Sequence, residues 1–248
     1  MIIDAYNCVW GTAGASDYLT HTPRTAEALL AIMDAQGVDM AVITGLGQMM
    51  DNQYLIDACA AYPTRFVGMG QADPRKPDAI DSIRSFAAAP GMKALKLHPT
   101  MHGYHVCDHG LLDPIFDVAA ELGLVVLVNA LDDPFCAPLS IEEIARNFPS
   151  VPTLIAHSGV IWNVMEAILV AGRTPNMYLE TSATQLIDVD TMYRMVGPDK
   201  IVMGTDWPCF DFELEMLKLS KAIPDAGDLA KVMGTNLAGL LGLVEAPR

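Results

Sequence analysis

The 248-residue chain is poor in positive charge. It has 15 Lys and Arg residues against 30 Asp and Glu residues, which gives a formal net charge of −15 at pH 7. A chain this acidic repels phosphate backbones and anionic lipids, and it offers no basic stripe to either. We therefore expect a small-molecule substrate, with no nucleic acid and no membrane as partner.

The sequence also lacks the marks of membrane insertion and of oxidised cysteines. No apolar run approaches the roughly 18 residues that a membrane span needs, and no basic region precedes an apolar stretch at the N-terminus. The five cysteines form no CxxC pair, so they predict neither a disulfide framework nor a zinc knuckle. We expect reduced thiols and a cytoplasmic protein.

What the chain does contain is a repeated alternation of strand and helix patterns. Short apolar runs rich in β-branched residues are each followed by a segment with helical spacing. The predicted strands are 1–6, 39–44, 65–69, 94–98, 124–129, 153–157, 177–181 and 200–205. Eight such units in about 250 residues predict a closed (β/α)8 TIM barrel, with residues 1–248 as one domain.

Polar side chains stand where the predicted apolar strands stop. In a TIM barrel the carboxyl ends of the strands carry the chemistry. These polar residues are Tyr6, Cys8, Lys96, His98, Asn129, His157, Thr181 and Asp206. They are the candidates for catalysis and substrate binding.

Several of these strand ends resemble those of one enzyme family. The segments KALKLHP (93–99), LIAHSG (154–159), PNMYLETSA (175–183) and VMGTDWP (202–208) are similar to the amidohydrolase-related family. This is the branch of the metal-dependent hydrolases that includes aminocarboxymuconate-semialdehyde decarboxylase. The resemblance implies a TIM barrel with a mononuclear metal site. Its ligands would be a His-x-His pair on strand 1, a His ending strand 5, often a His on strand 6, and an Asp ending strand 8.

The chain departs from this pattern at three ligand positions. Where the family has Asp-x-His-x-His, this sequence reads Asp4-Ala5-Tyr6-Asn7-Cys8, and the strand 5 histidine is replaced by Asn129. A phenol and a carboxamide bind Zn²⁺ poorly, because zinc prefers imidazole, thiolate and carboxylate. Only His157 and Asp206 remain as the family pattern has them. We therefore expect a site that works without a metal cofactor.

Three mechanisms are open for this set of residues. In the first, Asp206, with or without His157, activates water while Tyr6 or Asn129 polarises the substrate carbonyl. In the second, Cys8 is the nucleophile, His157 takes its proton and Asp206 orients the imidazole or handles water. In the third, Cys8, His157 and Asp206 hold zinc with one open position. We favour the first, since some relatives that open lactones need no metal.

Lys96 and His98 alternate with two leucines, so both side chains should face the barrel interior. A substrate carboxylate could dock on them. The alternative for Lys96, which we favour, is an internal ion pair with an acid such as Asp4 or Glu180.

The aromatic residues Trp10, Tyr104 and Trp207 follow strand ends and would line an apolar pocket that stacks on a planar ring; ordinary packing at the barrel top is the alternative. We thus expect a hydrolase of a small ester, lactone or amide of an unsaturated or aromatic acid. The resemblance leaves open nonoxidative decarboxylation and hydration, and the three altered ligand positions leave open an inactive binding barrel. We also allow for a homo-oligomer, although no apolar patch in the sequence identifies its surface.

Overall fold

The computed structural model describes residues 1–11, 24–47 and 50–243. Within these residues eight parallel strands form one sheet, and each strand pairs with the next along the chain. The strands are β1 (Ile3–Cys8), β2 (Met40–Thr44), β3 (Phe66–Gln71), β4 (Met92–Leu97), β5 (Val125–Asn129), β6 (Thr153–Ala156), β7 (Met177–Glu180) and β8 (Ile201–Val202). The predicted TIM barrel is confirmed.

The sheet closes on itself between β8 and β1. The backbone N–H of Ala5 donates to the carbonyl of Met203 at 2.9 Å, and that of Cys8 donates to the carbonyl of Trp207 at 2.8 Å. A parallel bridge joins Asn7 to Trp207. These bonds bring the polar ends of the first and last strands together at one rim.

The helices of the described residues surround the barrel. They are α1 (Ala26–Gln36), α2 (Asn52–Ala61), α3 (Ala79–Ala87), α4 (Pro99–His102), α5 (His109–Leu122), α6 (Pro138–Asn147), α7 (Val164–Arg173), α8 (Leu186–Val196), α9 (Phe212–Ala222), α10 (Ala226–Ala230) and α11 (Asn236–Leu240). None of these helices has both the length and the apolar content to cross a membrane.

The apolar core has two layers. Side chains such as Val42, Val67 and Leu127 fill the barrel interior. Side chains such as Leu29 and Phe116 fill the layer between the strands and the helices. Because apolar side chains pack the barrel interior, the polar strand-end residues lie at the rim formed by the carboxyl ends of the strands.

A bulge in β1 sets the direction of its polar side chains. The pairing of β1 with β2 shifts between Asp4 and Asn7, so both Ala5 and Tyr6 join the interior cluster, followed by Cys8. The buried carboxylate of Asp4 holds the bulge, because its Oδ1 accepts from the N–H of Tyr6 at 2.8 Å and from Asn7 Nδ2 at 2.9 Å. The predicted placement of Tyr6 and Cys8 on one side is confirmed.

Candidate active site

Three of the predicted site residues meet at the carboxyl ends of β1, β5 and β6. The hydroxyl of Tyr6 donates to Asn129 Oδ1 at 3.0 Å, and His157 Nε2 lies 3.4 Å from the same oxygen. The rings of Tyr6 and His157 have their centroids 5.5 Å apart. All three side chains are buried. The structure therefore assembles the phenol, amide and imidazole that the sequence analysis expected to meet.

Lys96 extends from β4 into the same region with its side chain 1% exposed. Its Nζ donates to the carbonyl of Gly45 at 3.1 Å and lies 3.9 Å from Cys8 Sγ. The ammonium also stands 4.6 Å from the centroid of the Tyr6 ring. A positive charge thus lies among the candidate reactive groups.

The internal ion pair predicted for Lys96 is wrong. Within the described part of the chain, no salt bridge joins Lys96 to Asp4 or Glu180. Both acids have other partners. Asp4 accepts hydrogen bonds from the N–H of Tyr6, from Asn7 Nδ2 and from the N–H of Thr205. Glu180 accepts hydrogen bonds from the N–H and the hydroxyl of Ser182. Among the residues with described positions, the ammonium therefore has no carboxylate partner.

Asp206 follows β8 at the barrel rim and is partly exposed. Its backbone is left-handed, with φ at 52°, a strained conformation that is common at functional sites. Its Oδ1 lies 3.8 Å from Cys8 Sγ. Burial raises the pKa of Asp206 to about 7, and the Lys96 ammonium partly opposes that rise. This carboxyl can therefore gain or lose a proton near neutral pH.

His157 is held by β7 and the residues that follow it. Its Nδ1 lies 2.8 Å from the Ser182 hydroxyl, which donates to Glu180 Oε2 at 2.7 Å. The backbone N–H of His157 donates to the same carboxylate oxygen at 2.9 Å. Burial lowers the pKa of His157 to about 3, so the imidazole is neutral. The expected role of Asp206 in orienting this ring is wrong, because Ser182 does so.

Cys8 does not form the predicted pair of nucleophile and base. The ring nitrogens of His157 face Ser182 and Asn129, while the thiol of Cys8 lies near Asp206 and the Gly45 carbonyl. Burial raises the pKa of Cys8 to about 12, so the thiol stays protonated. The imidazole expected to act as its base faces other side chains.

His98 takes a role in helix capping. It precedes α4, and its Nδ1 accepts from the N–H of Met101 at 3.4 Å. Its pKa is lowered to about 3, chiefly by burial and also by the charge of Lys96. A neutral, capping imidazole does not offer the positive charge that a substrate carboxylate would need, whereas the ammonium of Lys96 does.

The three predicted aromatic residues separate into two layers. Trp10 belongs to the interior cluster, and the guanidinium of Arg24 lies 4.5 Å from its ring centroid. Tyr104 and Trp207 pack in the outer layer between strands and helices. Both side chains are buried, as packing at the barrel top would have them, and their lining of the pocket stays a prediction.

Sequence reasoning missed Gln71 as a part of the site. This residue ends β3, and its Nε2 donates to Thr44 Oγ1 at 3.2 Å and also to the carbonyl of Gly45. The strand was predicted to stop at Met69, just before Gly70. Yet a side chain at Gly70 would meet the ring of Phe86 at 2.6 Å, so that glycine permits packing and does not end the strand.

The comparisons with known proteins agree with this geometry. The family model described as Amidohydrolase matches residues 10–243. The chain belongs to the amidohydrolase family. No curated protein has detectable sequence similarity to this family member.

Solved structures of similar fold cover nearly the whole of this amidohydrolase. One is a probable 2-pyrone-4,6-dicarboxylic acid hydrolase from Acinetobacter baumannii with citric acid bound, with a TM-score of 0.80, 14% identity, and coverage of 98% of this chain and 99% of that one. Another is 2,6-dihydroxybenzoate decarboxylase from Rhizobium, with a TM-score of 0.80, 14% identity and 98% coverage of both chains. A third is 5-carboxyvanillate decarboxylase from Sphingomonas paucimobilis, with a TM-score of 0.75, 17% identity, and coverage of 98% and 99%. At these identities the likeness concerns the fold.

The residues of this family member do not fit the zinc site considered for Cys8, His157 and Asp206. The thiol and the carboxylate are 3.8 Å apart, but both ring nitrogens of the histidine face other side chains. The ammonium of Lys96 lies beside the thiol, where it would repel a metal cation. Among the residues with described positions, no group of three or more His, Cys, Asp or Glu side chains is placed to hold a metal ion.

Proposed function

We propose that this protein hydrolyses a small ester, lactone or amide without an obligatory metal, with Asp206 as the base that activates water. One observation carries the proposal. A partly exposed carboxyl with its pKa raised to about 7 stands at the barrel rim, near a buried ammonium that has no carboxylate partner within the described ranges of the chain. A base whose pKa is near the working pH is suited to proton transfer.

The groups around Asp206 could stabilise the negative charge that develops on the carbonyl oxygen. Burial holds the pKa of Tyr6 well above its usual range, so its hydroxyl remains a proton donor. That hydroxyl, bonded to Asn129 in the free protein, would turn to the substrate oxygen. The ammonium of Lys96, next to the Tyr6 ring, would supply positive charge to the same oxygen. Such preorganised donors are often the largest contribution to catalysis.

The charge of Lys96 also indicates the class of substrate. An unpaired buried ammonium favours an anionic substrate, since a carboxylate or developing oxyanion would compensate its burial. One structural neighbour is named as a probable hydrolase of 2-pyrone-4,6-dicarboxylic acid, whose name describes an unsaturated lactone with two carboxyl groups. We therefore place lactones and esters of unsaturated or aromatic acids first among the substrates to test.

A substrate panel tests this proposal directly. Purified protein is assayed with lactones, esters, amides and aromatic acids, alongside Asp206→Asn and the control Asp117→Asn, which changes an exposed carboxyl on α5. We expect Asp206→Asn to lower turnover by about 10²–10⁴-fold and the control to leave it unchanged. Turnover that survives in Asp206→Asn would remove this residue from the mechanism.

The metal requirement is measured on the same preparation. Elemental analysis should show well below one equivalent of metal per chain, and turnover should survive a chelator. Turnover that disappears on chelation and returns with zinc would contradict the metal-free mechanism, whatever the substrate.

Nonoxidative decarboxylation is the second candidate. It is favoured by the unpaired ammonium of Lys96, which could hold a carboxylate, next to a carboxyl that carries a proton below about pH 7. That proton could be delivered to the carbon from which carbon dioxide leaves. Carbon-13 spectra of aromatic acids labelled at the carboxyl separate the two reactions, because only decarboxylation releases the label as carbon dioxide and bicarbonate.

The five cysteines also bear on where the protein works. All five lie in the described residues and all are free thiols. Free thiols persist in a reducing compartment, which supports our proposal of a cytoplasmic enzyme.

A further inference from the structure

A path of hydrogen bonds leads from the closed interior of the fold to the candidate active site. The hydroxyl of Ser182 donates to Glu180 Oε2 at 2.7 Å, and its oxygen lies 2.8 Å from His157 Nδ1. At the other side of the ring, His157 Nε2 lies 3.4 Å from Asn129 Oδ1. Glu180 and Ser182 are 0% exposed, whereas His157 and Asn129 are 5% and 3% exposed. The path therefore has a closed end at Glu180 and an accessible end at Asn129.

The carboxylate at the closed end has a donor on each oxygen. Glu180 Oε1 accepts from the N–H of Ser182 at 2.8 Å, and Oε2 accepts from the N–H of His157 at 2.9 Å. Burial raises the pKa of this carboxyl, and the two backbone donors act against that rise because they stabilise the ionised form. The ionised form also attracts the hydroxyl proton of Ser182, since a hydrogen bond to a charged acceptor is roughly twice as strong as a neutral one.

The direction of the Ser182 hydroxyl decides which ring nitrogen of His157 carries a proton. A hydroxyl has one proton to donate. Because Ser182 donates it to Glu180, its oxygen is left to accept from an N–H at Nδ1. A neutral imidazole carries one ring proton, and burial lowers the pKa of His157 to about 3. With the proton on Nδ1, Nε2 is therefore bare.

The opposite arrangement loses more than it gains. If Ser182 donated to Nδ1, its oxygen would face the ionised Glu180 at 2.7 Å with no proton between two acceptors. In return, an N–H at Nε2 would reach Asn129 Oδ1 at 3.4 Å, which is beyond the roughly 2.7–3.2 Å of ordinary N–H···O bonds. A short charge-assisted bond outweighs a long neutral one, so the proton belongs on Nδ1.

The bare nitrogen places two acceptors side by side at the accessible end. Asn129 Oδ1 accepts from the Tyr6 hydroxyl at 3.0 Å, so the oxygen of this amide faces His157. In the ranges that the structure describes, Nε2 has only this oxygen as its polar neighbour. A buried acceptor without a donor costs free energy. A ligand that brings a donor to this point would recover that cost.

We propose that Ser182 and Glu180 hold the proton of His157 on Nδ1, so that Nε2 and Asn129 Oδ1 form an acceptor site for a hydroxyl or N–H group of the substrate. The inference rests on the proposed function, because it adds a group to the same substrate. Ser182 and Glu180 are positioning residues, since both act through His157. With Lys96 as the partner of a carboxylate, the favoured ligand is a hydroxy-substituted unsaturated or aromatic acid.

Nitrogen-15 NMR of the imidazole rings tests the position of the proton without any substrate. Protonated and bare ring nitrogens have well separated shifts, and His157→Gln identifies the signals of this ring among those of the six histidines. At about pH 9, well above the pKa of ordinary carboxyl groups, wild-type His157 should carry its proton on Nδ1. Ser182→Ala should move the proton to Nε2, because Asn129 Oδ1 is then the acceptor within reach.

Ser158→Ala is the matched control. Ser158 is also 0% exposed, but its hydroxyl donates to the backbone carbonyl of Glu180 at 2.8 Å. This variant loses a buried hydroxyl beside His157, yet both ring nitrogens keep their neighbours. The proton should therefore stay on Nδ1. Circular dichroism and thermal melting show whether each variant is folded.

Calorimetry tests the acceptor site with the three isomeric hydroxybenzoates and their methyl ethers. A methoxy group at the same ring position has no proton to donate. In the wild-type protein at least one hydroxybenzoate should bind about tenfold or more tightly than its ether, because only the hydroxyl satisfies the buried acceptors. In Ser182→Ala this ratio should fall toward one, since an N–H at Nε2 can donate to either oxygen.

Three results would overturn the inference. They are a wild-type His157 that carries its proton on Nε2 at this pH, a proton that stays on Nδ1 in folded Ser182→Ala, and the absence of a preference for any hydroxybenzoate over its ether. The proposed function fails separately. If the proton position and the ligand preference are as expected but no ester, lactone or amide is hydrolysed, the reaction alone is wrong.

Discussion

Lys96 is the residue whose surroundings depart most from the usual rule for buried charges. A buried ammonium is normally paired with a carboxylate, because its burial otherwise costs several kcal/mol. Lys96 instead has a carbonyl, a thiol and an aromatic face as neighbours. The hydrogen bond to Gly45 and the contact with the Tyr6 ring compensate only part of the cost of burying this charge. We therefore propose that an anionic substrate supplies its partner.

Replacement of Lys96 tests whether its charge serves turnover or the stability of the fold. We expect Lys96→Met to raise the free energy of unfolding by about 1 kcal/mol or more, because an unpaired charge is exchanged for an apolar chain of similar length. The carbonyl of Gly45 keeps its bond from Gln71. Turnover should fall, and the pKa of Asp206 should rise because the ammonium that lowers it is gone. Urea unfolding and the pH profile of kcat/KM measure both effects.

Lys200→Met is the matched control for that variant. Lys200 Nζ donates to the carbonyls of Thr174, Pro175 and Met177 at 2.6–3.1 Å. Its loss leaves these acceptors without their donor, so the free energy of unfolding should fall while the pH profile stays unchanged. A destabilised Lys96→Met protein with an unshifted pH profile would show that Lys96 serves the fold.

The site residues divide into those that sequence could identify and those that it could not. Tyr6, Asn129, His157 and Asp206 stand where apolar strands end, and that position alone marks them. The partners of His157 were missed, because nothing in the sequence shows that Ser182 is turned toward the imidazole. That contact depends on β6 and β7 lying side by side. Pairing in the barrel, and not the local pattern, creates this contact.

Among the secondary-structure elements, β7 and the chain after β8 form a close contact that depends on a glycine. The carboxylate of Glu180 accepts from the N–H groups of His157 and Ser182. A Cβ atom at Gly204 would lie 2.0 Å from Glu180 Oε1 and 2.8 Å from its Cδ. The missing side chain makes room for the carboxylate that supports the His157 backbone.

Gly204→Ala should therefore be destabilising by about 1–3 kcal/mol, since the carboxylate must move and its backbone donors lose their acceptor. Glu180→Asp in the same chain should restore part of the loss, because the shorter acid vacates the space. The control is Gly239→Ala in α11, where a Cβ meets nothing within 4 Å and alanine favours the helix. Thermal melting of the four proteins checks this, and equal losses at both glycines would contradict the packing argument.

Element boundaries show where sequence patterns work and where they fail. The strands β2, β5, β6 and β7 lie within one residue of their predicted limits, because short, largely apolar runs mark buried parallel strands. The strand β8 covers only Ile201–Val202 of the predicted 200–205. Its last residues turn away to close the barrel on β1, and closure is a property of the whole sheet that no single segment encodes.

On the scale of the whole molecule, buried carboxyl groups couple folding to proton uptake. Burial raises the pKa of Asp4 to about 8 and that of Asp206 to about 7, and it also raises the pKa of Glu180. In the unfolded chain these groups ionise near pH 4. The folded state thus holds protons that the unfolded state has released, and its stability must fall as pH rises through the folded pKa values.

Two buried histidines act in the opposite direction at lower pH. His98 and His157 have pKa values lowered to about 3, so unfolding below about pH 6.5 lets them bind protons and stability rises with pH there. Above that pH they are neutral in both states. The carboxyl effect then remains, and the raised pKa of His109 acts in the same direction, so we expect the free energy of unfolding to decline from about pH 6.5 to about pH 8.5.

Asp4→Asn isolates the contribution of one buried carboxyl group to the proton uptake on folding. Oδ1 of Asp4 accepts three hydrogen bonds, while Oδ2 has no partner, so asparagine reproduces the protonated acid without loss of an acceptor. Near pH 7 the variant should lose a slope of about 1.4 kcal/mol per pH unit, the contribution of one carboxyl that is protonated only in the folded state. Urea unfolding at one protein concentration and several pH values measures the slope. An unchanged slope would mean that Asp4 is ionised in the folded barrel, and stability that rises across this range would contradict the proton uptake itself.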